Sequence, residues 1–291
     1  MAAPLVSVIC IYRDAEAFLD EAIASVLAQQ GPAFELLLVD DGSRDASANI
    51  AARRATEVPP GQVRCIVHPG GENRGMSASR NLGLAAARGE LIAFIDADDR
   101  WRPGKLAQQA ALLAEHPAAA MVCGTVNYWA SWAGGPDRLV PTGPPGGGLL
   151  APPETSLALY PLGGADAPCP SDVMIRADSL RAVGGFEDAF PGFYEDQAAF
   201  AKLYLAAPVL FAQPVWTDYR QHAASASAGV QRAGTYRAVR GQFLGWFAGW
   251  LTACARPAEA MVLRAVRREQ WWLKHPLADR VRARWRRRRA G

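Results

Sequence analysis

The chain has 291 residues, half of them hydrophobic and a fifth charged, with a formal net charge of +3. That length and balance support a sizeable core and exclude a disordered, collagenous or small disulfide-stapled chain. Five scattered cysteines (Cys10, Cys65, Cys123, Cys169, Cys254) form no Cys-x-x-Cys pair, so they read as reduced core residues, not a zinc or disulfide framework. No stretch reaches the roughly 18 apolar residues of a spanning helix. The opening Met1-Ala2-Ala3-Pro4 lacks the basic region of a signal peptide, so the expectation is a cytoplasmic protein.

Strand and helix patterns alternate through the first half. Leu5 to Tyr12 reads as a strand. Ala15 to Gln30 reads as a helix, with Phe18, Leu19, Ala22, Ile23, Val26 and Leu27 at helical spacing and Gly31-Pro32 as its stop. Strands are expected at Phe34 to Val39, Val63 to His68, Leu91 to Ile95 and Met121 to Tyr128, and helices at Ala46 to Thr56, Ser77 to Ala87 and Lys105 to His116. Such alternation predicts a mainly parallel, doubly wound sheet. The pattern then breaks at Gly134 to Pro153, where six glycines and six prolines in twenty residues predict a structureless segment, a lid or a linker. Beyond it, a strand is expected at Asp172 to Ile175 and helices at Ala177 to Val183 and Glu195 to Leu205. Val209 to Tyr219 should hold two short strands around Pro214, and helix should run from Tyr236 onward. Neither a Gly-x-Gly-x-x-Gly nor a Walker loop is present.

Two acidic clusters follow apolar strands: Asp40-Asp41-Gly42-Ser43 after the second, and Asp96-Ala97-Asp98-Asp99 after the fourth. Ligands of open α/β sheets bind beyond the carboxyl ends of strands, so both clusters point at one crevice. Carboxylates so close repel unless something positive sits among them, and a hard divalent cation that also holds phosphates suits them. Alone, such an Asp-x-Asp is also a solvated turn.

The landmarks, in order, are Ser7-Val8-Ile9-Cys10-Ile11-Tyr12-Arg13, Val39-Asp40-Asp41-Gly42-Ser43-Arg44-Asp45, Asn73-Arg74-Gly75, Ala78-Ser79-Arg80-Asn81-Leu82-Gly83 and Phe94-Ile95-Asp96-Ala97-Asp98-Asp99. Val183-Gly184-Gly185-Phe186, Glu195-Asp196 and Tyr219-Arg220-Gln221-His222 follow. This order resembles the inverting family 2 glycosyltransferases of the GT-A fold, over residues 5 to 225. The resemblance implies a Rossmann-like sheet with helices on both faces and a C-terminal helical extension. Residues 1–128 would bind the nucleotide sugar, 129–230 would form the acceptor side, and 231–291 would be the basic helical extension. It places Tyr12, Asp41, Arg74, Arg80, Asp96 and Asp98 at the donor. Asp41 would read the base, and Asp96 would lie near the ribose. Asp98, with His222, would hold Mn²⁺ or Mg²⁺. Asp196 would be the general base, with Glu195 holding the acceptor or the base; from residues alone, two acids at a helix start also simply favour the macrodipole. The implied donor is a nucleotide-diphosphate sugar, UDP- or dTDP-linked. The implied acceptor is a saccharide or lipid-linked saccharide, and nucleic acid is not an expected partner.

Two other readings compete. A sugar-nucleotide pyrophosphorylase would carry a Gly- and Arg/Lys-rich loop after its first strand, where this chain has Tyr12-Arg13-Asp14-Ala15-Glu16. A non-catalytic nucleotide-sugar-binding protein has no need of Glu195-Asp196 and Asp98 together. Trp101, just past the acidic cluster, either stacks on a sugar or closes the loop. From Arg264 onward, eleven Lys/Arg stand against Glu269 and Asp279, so the tail is strongly basic and the body mildly acidic. Tryptophans among these arginines predict contact with an anionic membrane surface, peripheral on the cytoplasmic face. The competing expectation is that Trp246, Trp250 and Trp271 pack on the catalytic domain.

Overall fold

The computed structural model describes residues 5–190, 192–254 and 257–277. Its first half alternates β1 (Val6–Tyr12), α1 (Leu19–Leu27), β2 (Phe34–Asp40), α2 (Ser47–Thr56), β3 (Val63–Val67), α3 (Met76–Ala86) and β4 (Leu91–Asp96). A two-residue β5 (Arg100–Trp101), α4 (Lys105–Glu115) and β6 (Met121–Trp129) complete it. The second half contains β7 (Arg138–Pro141), β8 (Gly148–Leu150), α5 (Glu154–Ala158), β9 (Met174–Arg176), α6 (Ala177–Ala182), α7 (Glu195–Ala206) and β10 (Val209–Arg220). It closes with α8 (Ala226–Arg232), α9 (Tyr236–Cys254) and α10 (Pro257–Lys274).

The strands form one sheet, ordered β3-β2-β1-β4-β9-β6-β10-β5, with β7 on β6 and β8 on β10. β3, β2, β1 and β4 are parallel, as are β6 and β10, while β9 runs antiparallel between β4 and β6. Every residue of β1 is buried, as an apolar run requires when helices cover both faces. On one face α1, α2 and α4 bury Leu19, Ile23, Val26, Ala51 and Leu106. On the other, α3, α6 and α7 bury Leu84, Leu180, Phe200 and Leu203. The expected α/β doubly wound architecture is therefore present.

Three local expectations need correction, and one open alternative is settled. Helix α1 starts at Leu19, not Ala15. Asp14 adopts φ 47°, and side chains of the Asp-Gly-Ser loop capture the next backbone groups: Ala15 N–H donates to Ser47 Oγ at 2.8 Å and Glu16 N–H to Asp45 at 2.9 Å. The Gly/Pro-rich stretch is not structureless. Its Thr125↔Pro141 and Leu210↔Leu149 pairings add β7 and β8 to the sheet, and positive-φ glycines at 143 and 146–148 make the turn between them. Around Pro214 there is one strand with register shifts, not two strands. Gly124 faces this bulge, where a Cβ would stand 2.5 Å from the Pro214 carbonyl. Finally, Trp101 is buried in β5 and donates its indole N–H to the Ser171 carbonyl at 2.8 Å, so it closes the loop.

The C-terminal part is two helices. Phe243, Leu244, Phe247 and Leu251 of α9 pack with Val262 and Val266 of α10, and with Phe190 and Tyr194 ahead of α7. Trp246 meets Phe190 edge to face at 5.4 Å, whereas Trp271 is 47% exposed. The arginines from 280 to 289 and Trp285 lie outside the described residues. Among the described residues no helix is long and apolar enough to cross a membrane.

Candidate active site

Three carboxylates at the end of β4 need three sources of compensation, and each has its own. Asp96 accepts from Arg80 at 2.8 Å. Asp98 pairs with His222 Nε2 at 2.8 Å. Asp99, fully buried, accepts from the Ser171 hydroxyl and from the Arg220 backbone N–H at 2.9 Å. Burial, then the charges of Asp98 and Asp96, hold the Asp99 carboxyl well above the usual range. Asp99 thus anchors the end of β10 to the end of β4. Arg220 adds a bond from Nε to the Asp98 carbonyl at 2.6 Å and an ion pair to Glu21 at 2.5 Å. That fastening sets His222, two residues on, against Asp98. Asp99 and Arg220 stand in motifs read from sequence but were given no role there, and Ser171 and Glu21 were not singled out; no local motif marks a serine or an arginine as a latch.

Arg80 is 1% exposed and joins the two ends of the site, because its other nitrogen reaches Glu195 at 2.6 Å. It lies in the second turn of α3. Burial alone would ease its proton off, but Asp96, Glu195 and Asp196 more than offset that and hold it charged. It lines the site with its charge already committed. Arg74, expected beside it, is instead exposed, with Glu72 4.0 Å away. What Arg74 supplies is its backbone N–H, which with that of Gly75 donates to the Asp41 carboxylate at 2.7 and 3.1 Å. Asp41 thereby latches the Asn73-Arg74-Gly75 turn. Tyr12 packs its ring into the core and accepts the Asp41 N–H on its carbonyl at 2.9 Å.

Helix α7 begins at Glu195, and Tyr194 before it holds a left-handed φ of 66° that turns the chain into the helix. Glu195 is buried and tied to Arg80. Asp196 is half-buried, with its Oδ1 accepting the Gln197 N–H at 2.7 Å and its Oδ2 the Gln197 side-chain N–H at 3.1 Å. Burial first, then the Glu195 charge, push its carboxyl up to about 7. Asp196, Glu195, Arg80 and Asp96 line one cleft of about 310 Å³, together with five tyrosines: Tyr128, Tyr160, Tyr194, Tyr219 and Tyr236.

Among the described residues no three His, Cys, Asp or Glu side chains gather into a metal cage. The pair Asp98 and His222 nonetheless fits Mn²⁺ or Mg²⁺. Such an ion takes one or two protein groups and completes its shell with phosphates and water, and Asp98 is the one carboxylate of the three whose partner is itself a metal-binding side chain.

The family model for glycosyl transferase family 2 matches residues 7–182. The chain belongs to glycosyltransferase family 2. Among curated relatives, the putative teichuronic acid biosynthesis glycosyltransferase TuaG of Bacillus subtilis is 34% identical over 116 residues, 40% of this chain and 44% of that one. The succinoglycan biosynthesis protein ExoO of Rhizobium meliloti is 40% identical over 99 residues, 34% of this chain and 26% of that one. The match thus spans less than half of either relative. Among solved structures, S. aureus TarS 1-349 in complex with UDP-GlcNAc superposes with a TM-score of 0.68 at 21% identity, covering 89% of this chain and 70% of that one. The mannosyltransferase PcManGT from Pyrobaculum calidifontis, in complex with GDP-Man and Mn²⁺, gives 0.57 at 20%, covering 94% and 70%. At these identities the likeness establishes a shared fold.

Proposed function

We propose that this family 2 member transfers a sugar from a nucleotide-diphosphate donor to a saccharide hydroxyl, inverting the anomeric centre. The observation that carries this reading is the Arg80 bridge. It ties Asp96 of the strand-end cluster to the Glu195-Asp196 helix start, and these four residues line one cleft; Asp98, paired with His222, stands two residues on from Asp96. Residues 1–128 serve as the donor half and 129–230 as the acceptor half, with the extension from 231 closing the cleft through Tyr236.

The acceptor hydroxyl oxygen attacks the anomeric carbon as the bond from that carbon to the diphosphate oxygen breaks. Asp196 takes the hydroxyl proton; a base so placed typically contributes about 10²–10⁴-fold. Its two oxygens are steadied by Gln197 and keep lone pairs for the acceptor. Glu195, held by Arg80, is not free to compete for that proton, so it acts by positioning. Asp98 and His222 would hold the divalent cation, which when bound offsets the charge of the leaving diphosphate. With one base and no second close carboxylate acting as nucleophile, direct displacement follows.

Thermal unfolding with UDP-, dTDP- and GDP-sugars, each with and without Mn²⁺, tests this reading. A donor present at a hundred times its Kd stabilises by about 2.7 kcal/mol. The expected result is a rise in Tm with at least one donor, larger with Mn²⁺. No shift with any of them contradicts the reading.

A further inference from the structure

The family match ends at residue 182, yet the cleft's lining continues beyond it through Tyr194, Tyr219 and Tyr236. The Tyr236 hydroxyl donates to Tyr160 at 2.5 Å and lies 3.2 Å from that of Tyr194. Three hydroxyls, from α9, the segment after α5 and the lead into α7, therefore meet in the lining of the cleft that Asp196 also lines. Burial pushes Tyr160 and Tyr194 up, so they remain neutral hydroxyls. Hydroxyls bonded to one another keep lone pairs for a ligand hydroxyl. Tyr128 and Tyr219 line the same cleft with their rings 5.3 Å apart and tilted, and the Arg138 guanidinium lies over the Tyr128 ring at 4.7 Å. Rings with a few convergent polar groups suit a molecule with an apolar face and a hydroxyl rim.

Charge narrows the ligand further. Asp96, Asp166, Glu195 and Asp196 line the cleft, and among its described lining residues Arg80 is the one cation. Arg80 is already shared between two carboxylates. Arg240 lies behind the Tyr160 ring at 5.2 Å and is tied to Glu269 at 2.8 Å. Within the described lining, a carboxylate or phosphate on the acceptor would meet four acids and one cation already shared between two of them; Arg138, over the Tyr128 ring at 4.7 Å, lies outside that lining.

We infer that this cleft takes an uncharged sugar residue as acceptor, recognised by the hydroxyl cluster of Tyr160, Tyr194 and Tyr236. The inference rests on the transferase reading and deepens it by naming the acceptor class and the helix α9 that selects it. It also gives the C-terminal helices a part in specificity.

The test is saturation-transfer NMR on the full chain with Mn²⁺ and UDP or GDP. The probes are p-nitrophenyl glycosides of glucose, galactose, mannose and N-acetylglucosamine, beside those of glucuronic and galacturonic acid. At least one neutral glycoside should bind, and the uronates should bind at least about tenfold more weakly. Tyr160→Phe with Tyr236→Phe should weaken the neutral glycoside by about fivefold or more, the scale of one lost hydrogen bond, with nucleotide affinity unmoved. Asp166→Lys, at an exposed position, should improve uronate binding. Equal or better binding of uronates by the wild type, no saccharide binding by a chain that binds nucleotide, or an unaffected double tyrosine variant would each overturn the inference. Failure to bind any nucleotide diphosphate overturns the transferase reading instead.

Discussion

At the scale of single residues, the two acids at the start of α7 have been given different work by their surroundings. Glu195 faces Arg80 at 2.6 Å, whereas Asp196 has only the dipoles of Gln197. Burial and the neighbouring Glu195 charge raise Asp196 to about 7. Its folded value lies above its ordinary one, so the native state holds this proton more tightly than the unfolded chain does. Stability from this group is therefore greatest at low pH and declines as pH rises towards about 7. On the proposed mechanism activity moves the opposite way, because the base would be the carboxylate. Turnover at saturating substrates should fall about tenfold per unit below that value and level off above it. Asp196→Asn should remove this limb and cost about 10²–10⁴-fold in kcat, with little change in donor affinity. A flat profile between pH 5.5 and 8.5, or a Glu195→Gln variant slower than Asp196→Asn, contradicts the division of roles.

At the scale of elements, Arg80 of α3 links β4 to α7 through a buried ion pair to Glu195 and a part-buried one to Asp96. Removing one partner of such a pair leaves a buried charge uncompensated, at about 3–5 kcal/mol. Arg80→Ala should therefore lower denaturant stability by that amount, and Arg80→Lys should recover only part of it because an ammonium lacks the planar fork. A loss below about 1 kcal/mol would show that the bridge is not holding these elements. The elements themselves were largely legible in the sequence, because their apolar runs have the periods of buried strands and amphipathic helices. The errors have local physical causes. Ala15 to Phe18 has helical spacing, but Ser47 and Asp45 take its backbone donors. Arg138-Leu139-Val140 is too short to read as a strand, and it becomes one only because β6 offers an edge. The sequence motifs do mark where the acids lie, Asp98 just past the end of β4 and Glu195-Asp196 at the start of α7. The site was not legible where chemistry depends on contacts across the fold. Arg80 read as a donor cation and is a bridge, while Tyr160 and Tyr236 carried no local signal at all.

At the scale of the molecule, the extension is divided in its allegiance. Phe243, Phe247 and Leu251 face the body, which bears out packing for that part of α9. On α10, Met261, Arg264, Arg268 and Trp271 are exposed and follow helical spacing, a basic and apolar stripe suited to anionic headgroups. Each Lys/Arg near such a surface contributes about 1 kcal/mol. Flotation with vesicles of rising anionic lipid content should recover the full chain in a salt-sensitive manner, and Met261→Ser with Trp271→Ser should weaken it. Absence of flotation at any lipid composition would reject the membrane surface as a partner. The central claim is that Asp98 serves metal-dependent transfer from a nucleotide-diphosphate sugar. Its most direct test is release of nucleoside diphosphate from a panel of UDP-, dTDP- and GDP-sugars with neutral glycosides. Wild type and Asp98→Ala are compared in Mn²⁺ and in chelator, with circular dichroism confirming the fold. The account predicts turnover of at least one donor in Mn²⁺, and a loss on the order of 10³-fold both in chelator and in the folded Asp98→Ala protein. Full turnover in chelator, or a near-wild-type rate from Asp98→Ala, would contradict it.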